Sequence, residues 1–133
     1  MFRHSAGELQ LLLVHPGGDY LRNQDLGTWT IPQGEVKPDE VVLHAACRRF
    51  TEEIGLPAFG PFIPLQPALE RNGDVIHGWA CEAADDAVVN VVNVAIPDGD
   101  RAEWFTPRDA KMRIDPAQSF WIDEVIAQVR SRS

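Results

Sequence analysis

Residues 39–54 carry the pattern that leaves this chain the fewest local options. Leu43, Ala46, Cys47, Phe50 and Ile54 recur at three- and four-residue intervals, which places their side chains on one stripe of an α-helix. Asp39 stands where an N-cap is wanted and Pro38 precedes it. Gly55 suits the left-handed residue past the C-terminus, and Pro57 prevents continuation. If the apolar stripe faces a core, positions 49, 52 and 53 share another side, being three and four residues apart. Glu52 and Glu53 then project together beside the loop 31–37. In that loop Gly34 lets backbone approach a ligand and offer a carbonyl oxygen.

Adjacent carboxylates next to such a loop suit a hard divalent cation, Mg²⁺ or Mn²⁺. The competing reading is a solvated helix face, its acids paired with Arg48 and Arg49 at i,i+4. The pair by itself does not choose between them.

The rest of the chain supplies a frame of strands and helices. Leu9–Val14 is short and nearly all apolar, as expected of a strand buried on both faces, and Pro16–Asp19 reads as the turn that ends it. Residues 28–32 resume an extended course. Asn72-Gly73 is a hairpin signal between strands over 64–70 and 75–82. The Val-rich run 87–96 and residues 101–105 read as further strands. A short helix is expected from Pro107 to Met112. A terminal helix is expected over 116–130, with Phe120, Trp121, Val125, Ile126 and Val129 inward. This order of elements implies an α/β fold with a mixed sheet between helices, and residues 1–133 read as a single domain.

Gly34, Glu40, Arg48, Phe50, Glu52, Glu53, Gly55 and Leu56 together resemble the signature box of the Nudix hydrolases in type and spacing. Trp29–Glu35 looks like the extended lead-in common in these enzymes, and Leu12–Gly18 and Glu103-Trp104-Phe105 are similar to a bacterial branch of predicted nucleoside-triphosphate pyrophosphohydrolases. The resemblance implies an α/β/α sandwich with a central mixed sheet. It also implies hydrolysis of a pyrophosphate bond in a small nucleoside diphosphate derivative, assisted by Mg²⁺ or Mn²⁺. By position, Glu52 and Glu53 would be metal ligands, joined by the carbonyl of Gln33 or Gly34. Arg48 would orient the carboxylates with Glu40 as its partner, and Glu103 would be a further ligand or base. The branch usually has one more short strand before the segment matching Met1-Phe2-Arg3. A late start would leave a sheet position empty or filled by another subunit, and with the Val-rich 87–96 segment it would suit a homodimer.

One box position departs. Arg49 stands where the family places a glutamate near the metal. Arginine stays protonated at any working pH and cannot act as a base. It should repel a cation and compete for Glu52 and Glu53. Three readings follow: an enzyme with a reduced site, drawing on Glu52, Glu53 and Glu82 or Glu103; a module that binds nucleotide through Arg49 without turnover; or an interaction scaffold that keeps the fold.

Trp29 and Trp79 are candidates to stack on a base, against core packing as the alternative. Arg22, Lys37 and Arg71 are candidates to meet phosphates from loops, against solvated surface charge. His4, His15, His44 and His77 have no ligand spacing. Net charge is −8, which argues against general affinity for polymeric nucleic acid or acidic membranes. No apolar run reaches the roughly 18–20 residues of a membrane span, and no h-region follows Met1–His4, so the cytoplasm is the expected location. Cys47 and Cys81 are expected to be reduced.

Overall fold

The computed structural model describes residues 1–15, 26–70, 72–83 and 101–132. The expected strand at 87–96, the turn at 16–19, and Arg22 and Arg71 lie outside them. Strand β1 (Phe2–Ser5) turns at Ala6-Gly7 into β2 (Glu8–His15), and β2 pairs antiparallel with β1 on one side and with β7 (Arg101–Phe105) on the other. Phe2 also bridges in parallel to Glu82, donating its N–H to the Cys81 carbonyl at 2.9 Å, so the strand directions are mixed.

The uniformly apolar run in β2 follows from having both faces covered. Leu11 and Leu13 face a cluster with Trp29, Phe105, Ala110, Ile114, Ile122 and Val125, which draws on helices α2 (Pro107–Arg113) and α3 (Ser119–Arg132). Leu12 and Val14 face the other way, onto Phe50 and Ile54 of helix α1 (Val42–Ile54) and Ala102 of β7. Helices therefore cover the two faces of one sheet, an α/β/α arrangement.

The Asn72-Gly73 hairpin forms, in two stretches. Strands β4 (Ala68–Leu69) and β5 (Val75–Ile76) flank the turn, while β3 (Ile63–Pro64) and β6 (Trp79–Ala80) pair further down. The 64–68 side is one residue longer than the 76–79 side, so the hairpin bulges between them. A bulge frees backbone groups, and here α3 satisfies them. The Gln66 N–H donates to the Glu124 carboxylate at 2.9 Å, and the Gln66 carbonyl accepts from Trp121 Nε1 at 2.7 Å. Gly78 keeps the close approach open: a Cβ there would lie 3.3 Å from the Trp121 ring.

Three expectations need correction. Helix α1 begins at Val42, with Val41 in the N-cap position and no side-chain cap. Asp39 is not the cap because it occupies a left-handed position (φ 64°) in the turn that follows Pro38. On α1 the buried residues are Ala45, Phe50 and Ile54, while Ala46 is exposed and Cys47 half-buried. On α3, Trp121 and Val125 are buried and Ile126 and Val129 pack on the core as expected, but Phe120 is 37% exposed and Ile122 is buried in its stead. Both cysteines are free thiols. No helix among the described residues is long and apolar enough to cross a membrane.

Trp121→Phe should destabilise the fold by about 1–3 kcal/mol, the lost bond to Gln66 adding to lost volume. Urea unfolding checks this as a lower midpoint with an unchanged slope.

Candidate functional site

The site is assembled around Arg48. Lys37 to Glu40 form a tight turn: Glu40 N–H donates to the Lys37 carbonyl at 3.1 Å, and Lys37 N–H donates to Glu40 Oε1 at 3.0 Å. This presents both Glu40 oxygens to Arg48, whose Nε donates to Oε2 at 2.7 Å and Nη2 to Oε1 at 2.9 Å. Two parallel charge-assisted bonds fix the guanidinium plane. Arg48 then spends its remaining donors on the Glu35 carbonyl and, from Nη1, on both oxygens of Glu52, all at 3.2 Å. Turn, loop and helix thus meet on one side chain.

The electrostatics follow from these bonds. Arg48 first, and then the Lys37 N–H, hold the Glu40 carboxyl down at about 2. Glu40 in turn pushes the Arg48 guanidinium up. Hydrogen bonds from Arg49 and then Arg48 hold Glu52 below the usual carboxylate range.

Arg49 lies across the pair of acids. Its Nη1 donates to Glu52 Oε2 at 3.1 Å, and its Nη2 stands 3.5 Å from Glu53 Oε2. Its aliphatic shaft packs on Gly34: a Cβ at residue 34 would lie 2.6 Å from Arg49 Cγ. Glycine is needed here for space.

A second clamp was not legible beforehand. Gln118, 2% exposed, accepts from the Ile31 N–H at 3.2 Å and donates to Gln33 Oε1 at 3.0 Å. It comes from the 3₁₀ turn Pro116–Gln118, capped by Asp115 through the Ala117 N–H. A glutamine in that turn carries no sequence signal pointing 85 residues back to the loop.

Of the expected site residues, Gln33, Gly34, Glu40, Arg48, Arg49, Glu52 and Glu53 come together at the loop–helix junction. Lys37 joins through its backbone, with its side chain exposed. Glu103 is set apart: it pairs with Leu13, so it stands on the sheet face turned away from α1. Glu82 is exposed beside His4, 3.7 Å away. Trp29 is a core residue, 1% exposed and packed edge-to-face on His15 and Phe105, so its ring is closed to a ligand. Trp79 instead lines a largely apolar cavity of about 100 Å³. Leu43, Cys47 and Phe50 of α1, Pro32 of the loop and Trp121 of α3 also bound it.

Carboxylate oxygens are the right donors for Mg²⁺ or Mn²⁺. Their arrangement here does not fit a resident ion. Arg49 contacts both Glu52 and Glu53, and no third acidic, His or Cys side chain joins them among the described residues.

A Nudix domain model matches residues 3–128. The chain belongs to the Nudix family. The fold agrees with solved Nudix structures at low identity. A mutT/nudix family protein from Listeria innocua shares 16% identity at a TM-score of 0.74, over 98% of this chain and 90% of that one. A C. elegans Ap4A hydrolase binary complex shares 20% at 0.70, over 98% and 93%. The Nudix domain of Shewanella oneidensis NrtR, complexed with ADP ribose, shares 19% at 0.64, over 98% and 82%. No protein of curated function matches the chain. In this Nudix domain, the Arg49 guanidinium lies against both acids, Glu52 and Glu53.

Gln118→Ala should cost about 1–3 kcal/mol by stranding the Ile31 N–H, and should loosen the Gln33–Gly34 loop. Amide hydrogen exchange at Ile31 measures both. Glu40 has a folded pKa below its ordinary value, so its stabilising effect is complete above about 4.5 and lost as pH falls towards about 2. Wild type should exceed Glu40→Gln in stability at neutral pH, and the two curves should converge in acid. Urea midpoints measured across that range check the sign.

Proposed function

We propose that this Nudix domain hydrolyses a pyrophosphate bond in a small nucleoside diphosphate derivative, in the cytoplasm. The observation that carries the reading is the Arg48 network. It seats the Gly34 loop on α1 through Glu40 and Glu35 and holds Glu52 at the same junction as Glu53. Support also comes from proteins of the same fold, one an Ap4A hydrolase and one complexed with ADP ribose.

In this reading Arg49 and Lys37 meet phosphate oxygens, and the apolar cavity beside Pro32 and Cys47 receives the rest of the substrate. Glu52, held low by two arginines, is a poor proton acceptor. Glu53, the more deeply placed of the two acids at 13% side-chain exposure against 46% for Glu52, would take the proton of the attacking water once Arg49 turns to phosphate. A divalent cation of the kind the family resemblance implies, Mg²⁺ or Mn²⁺, would neutralise phosphate charge when bound. Among the described residues, Glu52 and Glu53, with the carbonyl of Gln33 or Gly34, would be the groups to hold it, and Arg49 contends for the two acids.

A second reading, nucleotide binding without turnover, is favoured by one observation: Arg49 already satisfies Glu52 and Glu53. Release of phosphate or pyrophosphate from a panel of nucleotides, with Mg²⁺ and with Mn²⁺, separates the two. The hydrolase reading expects turnover in wild type, reduced about 10²–10⁴-fold in Glu53→Gln. Silence in wild type with turnover in Arg49→Glu would sink the hydrolase reading, and tight Mg²⁺-independent nucleotide binding lost in Arg49→Ala would then favour the binding reading.

A further inference from the structure

We propose that Arg49 is a built-in counter-cation: its guanidinium takes the place of a divalent ion between Glu52 and Glu53, so the box is closed to free Mg²⁺ and Mn²⁺ until Arg49 is released. The claim concerns ion occupancy and stands whether or not the chain turns over a nucleotide.

Geometry carries it. One guanidinium reaches both acids, with Nη1 on Glu52 at 3.1 Å and Nη2 by Glu53 at 3.5 Å. The shaft of the same side chain fills the space over Gly34, so loop and carboxylates are joined through Arg49 itself. A cation that used both acids and a loop carbonyl would have to displace head and shaft together. The guanidinium cannot be neutralised in the accessible pH range, so acid or base does not lift the block.

The incoming ion gains little in exchange. Mg²⁺ gives up its hydration shell reluctantly and needs several oxygen ligands in octahedral array. Among the described residues Glu52 and Glu53 are joined by no third acidic, His or Cys side chain, and Glu52 is further engaged by Arg48 at 3.2 Å. Arg48 cannot replace Arg49 as the closing group, because its Nε and Nη2 are committed to Glu40. The block therefore belongs to one side chain.

The opposing expectation is also physical. Exposed ion pairs are weak, and a side chain that yields easily would leave the acids open to any cation. The contact on Gly34 and the depth of Glu53 argue against such easy release. Side-chain exposure is 35% for Arg49 and 13% for Glu53.

Mn²⁺ binding to the full chain at neutral pH, followed by electron paramagnetic resonance of the free ion, decides between them. Wild type should show no saturable site at micromolar ion. Arg49→Gln should acquire one, with affinity higher by about tenfold or more. Arg49→Lys, which keeps a cation at the position, should stay weak, and adding Glu52→Gln to Arg49→Gln should abolish the gain. A saturable wild-type site as tight as that of Arg49→Gln overturns the proposal. So does an Arg49→Gln protein with native circular dichroism and no gain. If Arg49→Gln does not fold, the wild-type titration still decides. Mn²⁺-induced broadening of the Gly34 and Glu53 amide resonances at micromolar ion would overturn the proposal, and its absence would uphold it.

Discussion

The two parallel hydrogen bonds between Arg48 and Glu40 set the relation between three pieces of chain: turn, loop and helix. Helix α1 has no side-chain cap, so its start is not fixed by its own N-terminal residues. The Pro38-Asp39 turn aims Glu40 back along the helix, and the fork from Arg48 receives it. Once the guanidinium plane is fixed, its other donors can point only at Glu35 on the loop and Glu52 one helical turn on. The position of the acid pair is therefore a consequence of a bond made at the other end of the box. Because that pair of side chains is largely shielded (23% and 18% exposed), the bond is screened less than an ordinary surface pair.

Much of this was legible because it depends on spacing. Helical periodicity located α1, its left-handed Gly55 and the shared side of residues 49, 52 and 53. Asn72-Gly73 located the hairpin, and the apolar run in β2 announced two covered faces. What failed was tertiary. Asp39 has the composition of a cap, yet a turn needed a left-handed residue after Pro38, and Asp accepts that conformation more readily than most. Phe120 and Ile122 are both apolar at the head of α3, and only the docking of Trp121 onto the hairpin bulge decides which is buried.

The site residues divide along the same line. Box members are held by bonds within one loop–helix unit, so local spacing suffices to group them. Glu103 and Trp29 depend on the sheet. Register puts Glu103 opposite Leu13, and strand alternation then turns it away from α1, something no local pattern reveals. Trp29 reads equally well as a stacking platform or a core ring. Its burial was settled by Phe105, 76 positions later, whose ring lies 4.9 Å away. Gln118 was invisible for the complementary reason: its role is to satisfy loop backbone, and backbone leaves no trace in residue types.

Gly34 shows how the box and its one departure fit together. A glycine at that place reads, from sequence, as room for backbone to approach a ligand. In the fold the room is taken by Arg49, whose shaft would collide with any Cβ. The glycine and the arginine are thus complementary in volume as well as adjacent in space, and neither can be judged alone. Replacing Arg49 with a shorter acid would put three carboxylates near one another and reopen the gap over Gly34, restoring in one change both the charge and the space that a cation requires. Arg48, Glu40 and Gln118 hold loop and helix through hydrogen bonds, and Arg49 adds a packing contact on Gly34 and the ion pairs to Glu52 and Glu53.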